Sequence, residues 1–195
     1  MTKEEKAILT PELAVRIARE LEANLSEVDA EQTEALLDAI CRARRVFVAG
    51  CGRSLLVLRC FAMRLMHLGL RVHVAGETTT PAIEAGDLLI AGSGSGRTAT
   101  VVLMAEKARQ AGAEVAALTI YPDSELSKRA CVTVRIPGVT AKNGAPSGAG
   151  TIQISGNGFE QGMLLLCDAM AIRLARREGL ACGDEAVMSR HANLE

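Results

Sequence analysis

Apolar positions recur along this chain with two different periods. From residue 10 to 43 they fall three and four apart. Leu36, Leu37, Ile40 and Cys41 in "AEQTEALLDAICRA" form one such stripe, as on a helix lying against a core. The stretch Ser26–Asp29 interrupts this region and predicts two helices instead of one. Thr10 is expected as N-cap of the first, with Pro11 at the first helical position and Glu12 in an acidic first turn.

Short, continuous apolar runs then take over at 45–49, 71–76, 87–92, 114–120 and 131–137. Each is too short for a core helix and reads as a strand buried on both faces. Helical spacing returns between them. Leu55, Leu58, Ala62, Leu65 and Met66 share a face over 54–67. A second helix over 98–113 is closed by Gly112. Pro122 and Asp123 open a turn and short helix over 121–130. Strands alternating with helices predict a parallel sheet covered on both faces, a three-layer α/β/α sandwich with five parallel strands. Residues 1–195 read as one domain, with N-terminal helices at about 10–43 and a C-terminal helix and tail at about 159–195. The Gly-, Ala-, Ser- and Asn-rich stretch 138–158 is long for a connection, which marks it as functional or mobile. A long helix from about Phe159 to Glu178, a short helix and the tail "MSRHANLE" close the chain.

Composition narrows the picture. The 195 residues are 49% hydrophobic, enough for a full core, but with no Trp, one Tyr (Tyr121) and three Phe that core must be aliphatic. The formal net charge of −1 is well mixed, so no basic stripe or aromatic platform speaks for nucleic acid. Six cysteines occur without a CxxC pair, which argues against a metal site and for buried free thiols in a reducing compartment. The charged start "MTKEEKAILT" lacks the apolar segment of a signal peptide, and no run reaches membrane-spanning length. These features predict a cytoplasmic protein with no membrane partner.

Candidate chemistry sits where strands end. "GCGRS" follows the first strand and "GSGSGRT" the third, and each leads into a helix. In an open parallel sheet ligands bind at the carboxyl ends of strands. There a helix N-terminus offers unpaired N–H groups and a positive dipole end. Gly52, Arg53, Ser54, Ser93, Gly94, Ser95 and Thr98 thus form a candidate phosphate cradle, although each turn by itself could be an ordinary βα connection capped by Ser or Thr. No Walker A run is present, and neither turn meets the G-x-G-x-x-G spacing of a dinucleotide site.

"SGSGRT" between a buried strand and a helix resembles the signature of sugar isomerase (SIS) domains, which bind phosphosugars. "FVAGCGRS", "FAMRLMHLGL", "VAGETTTPAI", "GDLLIAGSGSG", "GFEQ" and "RHANLE" are similar to the 6-phospho-3-hexuloisomerase family within it, over nearly all of Arg45–Glu195. Leu55 stands where that family usually has Gly, and Arg97 where it often has Glu. The resemblance implies a flavodoxin-like SIS fold. It also implies interconversion of D-arabino-3-hexulose 6-phosphate and fructose 6-phosphate in formaldehyde fixation by the ribulose monophosphate pathway. No cofactor or metal is implied. A 3-hexulose-6-phosphate synthase would be its functional neighbour, and a homotetramer its assembly.

Moving a carbonyl from C3 to C2 without redox chemistry calls for a 2,3-enediol, and hence for a base with a pKa near working pH. Glu160 in "GFEQ" is the expected base. Its place at a helix start would lower its pKa, so burial must offset the dipole. By itself it also reads as an ordinary first-turn acid. His191 in "RHANLE" is the expected proton shuttle, for its own or a neighbouring subunit. Thr78 and Thr79 are expected to contact substrate hydroxyls, and Glu77 is a reserve base. His67 and His73 read as structural. Two other functions fit the same turns: a different phosphosugar aldose–ketose isomerase, or a non-catalytic phosphosugar-binding regulator.

Overall fold

The computed structural model describes residues 9–140, 151–153, 157–180 and 184–194. Helices α1 (Thr10–Leu25) and α2 (Ala30–Arg42) lead into β1 (Val46–Gly50), α3 (Arg53–His67), β2 (Val72–Val74) and β3 (Leu88–Gly92). Next come α4 (Ala99–Gln110), β4 (Glu114–Thr119), a 3-10 turn (Ser127–Arg129) and β5 (Val132–Arg135). Helices α5 (Asn157–Glu178) and α6 (Asp184–Met188) close the chain. The five strands are all parallel, in the order β2-β1-β3-β4-β5. This is the flavodoxin-like arrangement, with its switch point between β1 and β3.

Successive side chains of a strand face opposite ways, and here that alternation divides the core in two. Val46, Val48, Leu88, Ile90, Ala116 and Leu118 join Leu36, Ile40, Leu58, Phe61, Met163 and Leu174 beneath α2, α3 and α5. Phe47, Ala49, Leu89, Ala91, Val115 and Ala117 meet Val101, Ala105 and Ala108 of α4 on the other side. The small alanines on this second face let α4 lie close to the sheet.

At the amino ends of the strands, Asp87 is fully buried beneath two arginines. Its carboxylate accepts from Arg45 Nη2 (2.6 Å), Arg45 Nε (3.1 Å), Arg44 Nε (3.3 Å) and the Glu84 backbone N–H (2.9 Å). Burial works to raise this carboxyl, but these donors win and hold it at about 2, against an ordinary 3.8.

Several sequence expectations need correction. Helix α1 starts one residue early, so Leu9 is the N-cap and Thr10 lies within the helix without a capping bond. The break before α2 is as expected, with Asp29 accepting from the Glu31 N–H at 2.7 Å. Cys41 leaves the apolar stripe and turns out toward Arg177, whose Nη2 lies 3.1 Å from its sulfur. Cys51, Cys60 and Cys131 are exposed as well, so Cys167 is the one buried thiol among the described residues. An apolar neighbourhood in sequence did not mean an inward-facing position on the helix or turn. Cys182 lies outside the described residues, as do 141–150 and 154–156 of the Gly-rich stretch. No helix among the described residues is long and apolar enough to cross a membrane.

Candidate active site

A cavity of about 410 Å³ opens at the carboxyl ends of β1 and β3, at the switch point of the sheet. Its volume falls within the range of small-molecule sites, roughly 300–1,000 Å³. The first wall is the turn after β1. Gly52 has φ +56°, a conformation that side chains resist, and it hands the chain directly to α3. No side chain caps α3 there, so its amino end faces the cavity with Arg53 and Ser54.

The second wall is the turn after β3. Ser93, Gly94, Ser95 and Thr98 line it. Thr98 occupies the N-cap position of α4, yet its hydroxyl makes no capping bond and pairs with the Ser93 hydroxyl at 2.9 Å. The Ser95 hydroxyl accepts from the Arg97 N–H at 3.3 Å. Gly96 has φ +61°, and any Cβ there would collide with Ser124. Two helix N-termini without side-chain caps, three buried serines and one arginine therefore converge on one space. That arrangement attracts an anion with several oxygens.

Opposite this cradle, the first turn of α5 brings in Asn157, Phe159 and Glu160. Glu160 Oε1 accepts from Ser54 Oγ at 3.3 Å, and Oε2 lies 3.7 Å from Arg53 Nε. The side chain is only 15% exposed. Burial raises the carboxyl above its ordinary 4.5, outweighing the pull of Arg53 and the hydrogen bond from Ser54. Glu160 is the one carboxylate among the described lining residues, and its environment moves it toward the range of a general base.

Gly52, Arg53, Ser54, Ser93, Gly94, Ser95, Thr98 and Glu160 are thus gathered in one cavity. Thr78 and Thr79 are not. They are exposed beyond β2, the edge strand, one strand away from the switch point. Neighbouring Thr80 folds its hydroxyl back onto the Val74 carbonyl at 2.6 Å, and Glu77 pairs with Arg59 at 3.3 Å. Arg97 is exposed and does not line the cavity.

His191 is not brought to this cavity either. Its ring stacks on His67, with centroids 5.2 Å apart, at the far end of α3. That helix rises roughly 20 Å between Arg53 and His67. His67 is buried with no hydrogen-bond partner at Nδ1. Burial first, then His191 and Arg64, hold its imidazole below the ordinary value, which favours the neutral form. His73 packs against Phe47, with centroids 5.1 Å apart, as a structural residue would.

Sequence reasoning missed Cys51, Ile120, Thr140, Asn157 and Phe159 in the lining. Cys51 lies within the quoted "GCGRS" turn and could have been named. Ile120 ends an apolar strand segment and Phe159 stands at the start of an apolar helix, so both look like any core residue.

Residues 39–155 match the SIS domain family. The 3-hexulose-6-phosphate isomerase of Bacillus subtilis is 41% identical over 186 residues, covering 95% of this chain and 99% of that protein. That of Mycobacterium gastri is 48% identical over 170 residues, covering 87% and 83%. A Methanococcus jannaschii crystal structure, from which a function of 3-hexulose-6-phosphate isomerase was inferred, superposes with a TM-score of 0.78. It is 31% identical and covers 93% of this chain and 98% of its own.

Proposed function

The chain belongs to the SIS domain family, and from that premise we propose that it interconverts D-arabino-3-hexulose 6-phosphate and fructose 6-phosphate. It is an isomerase acting on a phosphosugar. The observation that carries the reading is the cavity at the β1/β3 switch point, where an anion cradle faces a half-buried carboxylate with a raised pKa. The phosphate would sit between the two helix N-termini, against Ser93, Ser95 and Thr98. This anchors C6 and brings the C2–C3 bond toward α5.

The Glu160 carboxylate then removes the C2 proton, and the electron pair of that C–H bond forms the C2=C3 enediol as the C3 oxygen gains a proton. The C2 hydroxyl next loses its proton as C2=O forms, and C3 takes the proton held by Glu160. No atom is gained or lost. Arg53 stabilises negative charge near the reacting oxygens, and Ser54 holds the carboxylate in place. The exchange between O2 and O3 needs a second group. His191 is proposed for it, reaching the cavity of a neighbouring subunit, since within one chain it lies at the wrong end of α3. That role requires a neighbouring subunit, and the assembly we propose is a homotetramer, with residues 1–195 forming one SIS domain in each subunit.

We place the enzyme in the cytoplasm, after a 3-hexulose-6-phosphate synthase in formaldehyde fixation. The test is a coupled assay. Ribulose 5-phosphate, formaldehyde and such a synthase are supplied with the protein, and fructose 6-phosphate is measured. Its absence would refute the reading. Turnover of an aldose phosphate instead would assign another isomerase, and binding without turnover would assign a regulator.

A further inference from the structure

Helix α1 makes an unexpected connection to the far side of the active-site helix. Glu20, half-buried on α1, accepts three hydrogen bonds from the segment that precedes α5. Thr151 Oγ1 donates at 2.7 Å, the Ile152 N–H at 2.8 Å and Gln153 Nε2 at 3.4 Å. The Thr151 hydroxyl also accepts from the Gln153 N–H at 3.0 Å, which closes a compact turn on the carboxylate. Burial acts to raise Glu20, but these donors hold it below its usual value, so it binds the turn as a carboxylate at working pH.

Gln153 of this turn lies beside the start of α5, since a Cβ on Gly158 would come to 3.7 Å from its Nε2. Glu20, Gly138, Thr151, Gln153 and Gly158 line a second cavity of about 320 Å³. The first turn of α5 contributes to both spaces, with Gly158 in this one and Asn157, Phe159 and Glu160 in the phosphosugar cavity.

We propose that Glu20 is a positioning residue for the isomerase: by clasping Thr151, Ile152 and Gln153 it fixes the start of α5 and so aims Glu160 at the substrate. The inference rests on the reading of Glu160 as the base. The phosphate cradle belongs to the turns after β1 and β3, which the clasp does not touch, so losing the clasp acts on turnover and spares binding. Misplacing a reacting group by an ångström lowers a rate by as much as about 10²-fold.

The test is steady-state kinetics on full-length Glu20→Ala, Glu20→Gln, Thr151→Val and the Glu20→Ala/Thr151→Val pair, with folded fraction checked by circular dichroism. Glu20→Ala should lower kcat about tenfold with KM unchanged. Glu20→Gln keeps one oxygen for the Ile152 N–H and turns its amide N–H toward the Thr151 hydroxyl, which can accept, so it retains part of the clasp and should recover to within about threefold of the parent. The double variant should be no slower than the slower single one, because both break one clasp. A parental kcat in Glu20→Ala, a loss matched by the unfolded fraction, or losses that multiply in the double variant would each overturn the proposal. If the parent itself does not isomerise the hexulose phosphate, the reading of the substrate site fails instead.

Discussion

Replacing Glu160 by Gln separates two consequences of one environment. The substitution keeps size and hydrogen bonding to Ser54 but removes the basicity. General-base catalysis contributes about 10²–10⁴-fold, or about 3–5 kcal/mol of barrier, so kcat should fall by that factor. KM should hold within about threefold, because the phosphate contacts lie on the other wall. Stability should move the opposite way. The folded pKa of Glu160 lies above its unfolded value of 4.5, so ionising it costs the folded state free energy. Below 4.5 the parent and Glu160→Gln should melt alike. As pH rises through the raised folded pKa, the parent loses stability that Glu160→Gln keeps, and the variant should have the higher Tm at neutral pH. Arg53 loses a partner at 3.7 Å but is 56% exposed, so that loss weighs little. The assays are the coupled production of fructose 6-phosphate and thermal melts at acid and neutral pH. Near-parental kcat with chemistry rate-limiting would refute the assignment of the base. A lower neutral-pH Tm in Glu160→Gln would refute the account of its burial.

Ser95→Ala or Thr98→Ala should raise KM ten- to hundredfold, about 1–3 kcal/mol for a hydrogen bond to a charged group, and unchanged KM in both would remove the phosphate from this cradle. Asp87→Asn should destabilise the fold by about 3–5 kcal/mol, measured by urea unfolding, since it leaves Arg45 unmatched beside a buried site. Because Asp87 is held at about 2 against 3.8 unfolded, its contribution is full above pH 3.8 and disappears as pH falls through 2. His191→Ala should lower kcat, and mixing inactive Glu160→Gln protein with inactive protein lacking "RHANLE" should restore activity through hybrid oligomers; no recovery on mixing would argue against a shared site.

The two Gly/Ser turns were legible because small residues beside an apolar run leave few other uses for the backbone. The division of the core was legible too, since buried strands and one-sided helices carry distinct periods. Glu160 could be named from its motif, but its raised pKa comes from burial, which the fold decides and which outweighs Arg53 and Ser54 brought in from distant positions. Thr78 and Thr79 show the converse. Sequence placed them correctly after a strand, but only the strand order reveals that β2 is the edge and the ligand site lies beyond it. The Glu20 clasp was invisible, because a polar contact across more than 130 residues leaves no local pattern.

The scarcity of aromatic residues has a use in the laboratory. With no Trp in the chain, ultraviolet emission excited at longer wavelength comes from Tyr121 alone. That residue is half-buried and follows Ile120, which lines the substrate cavity. Its backbone is pinned on both sides: its N–H bonds to Thr119 Oγ1, and its carbonyl accepts from Ser127 Oγ. The chain thus carries a single tyrosine emitter next in sequence to a residue of the candidate cavity, so ligand titrations can be followed without a label, and every change in tyrosine signal has one address.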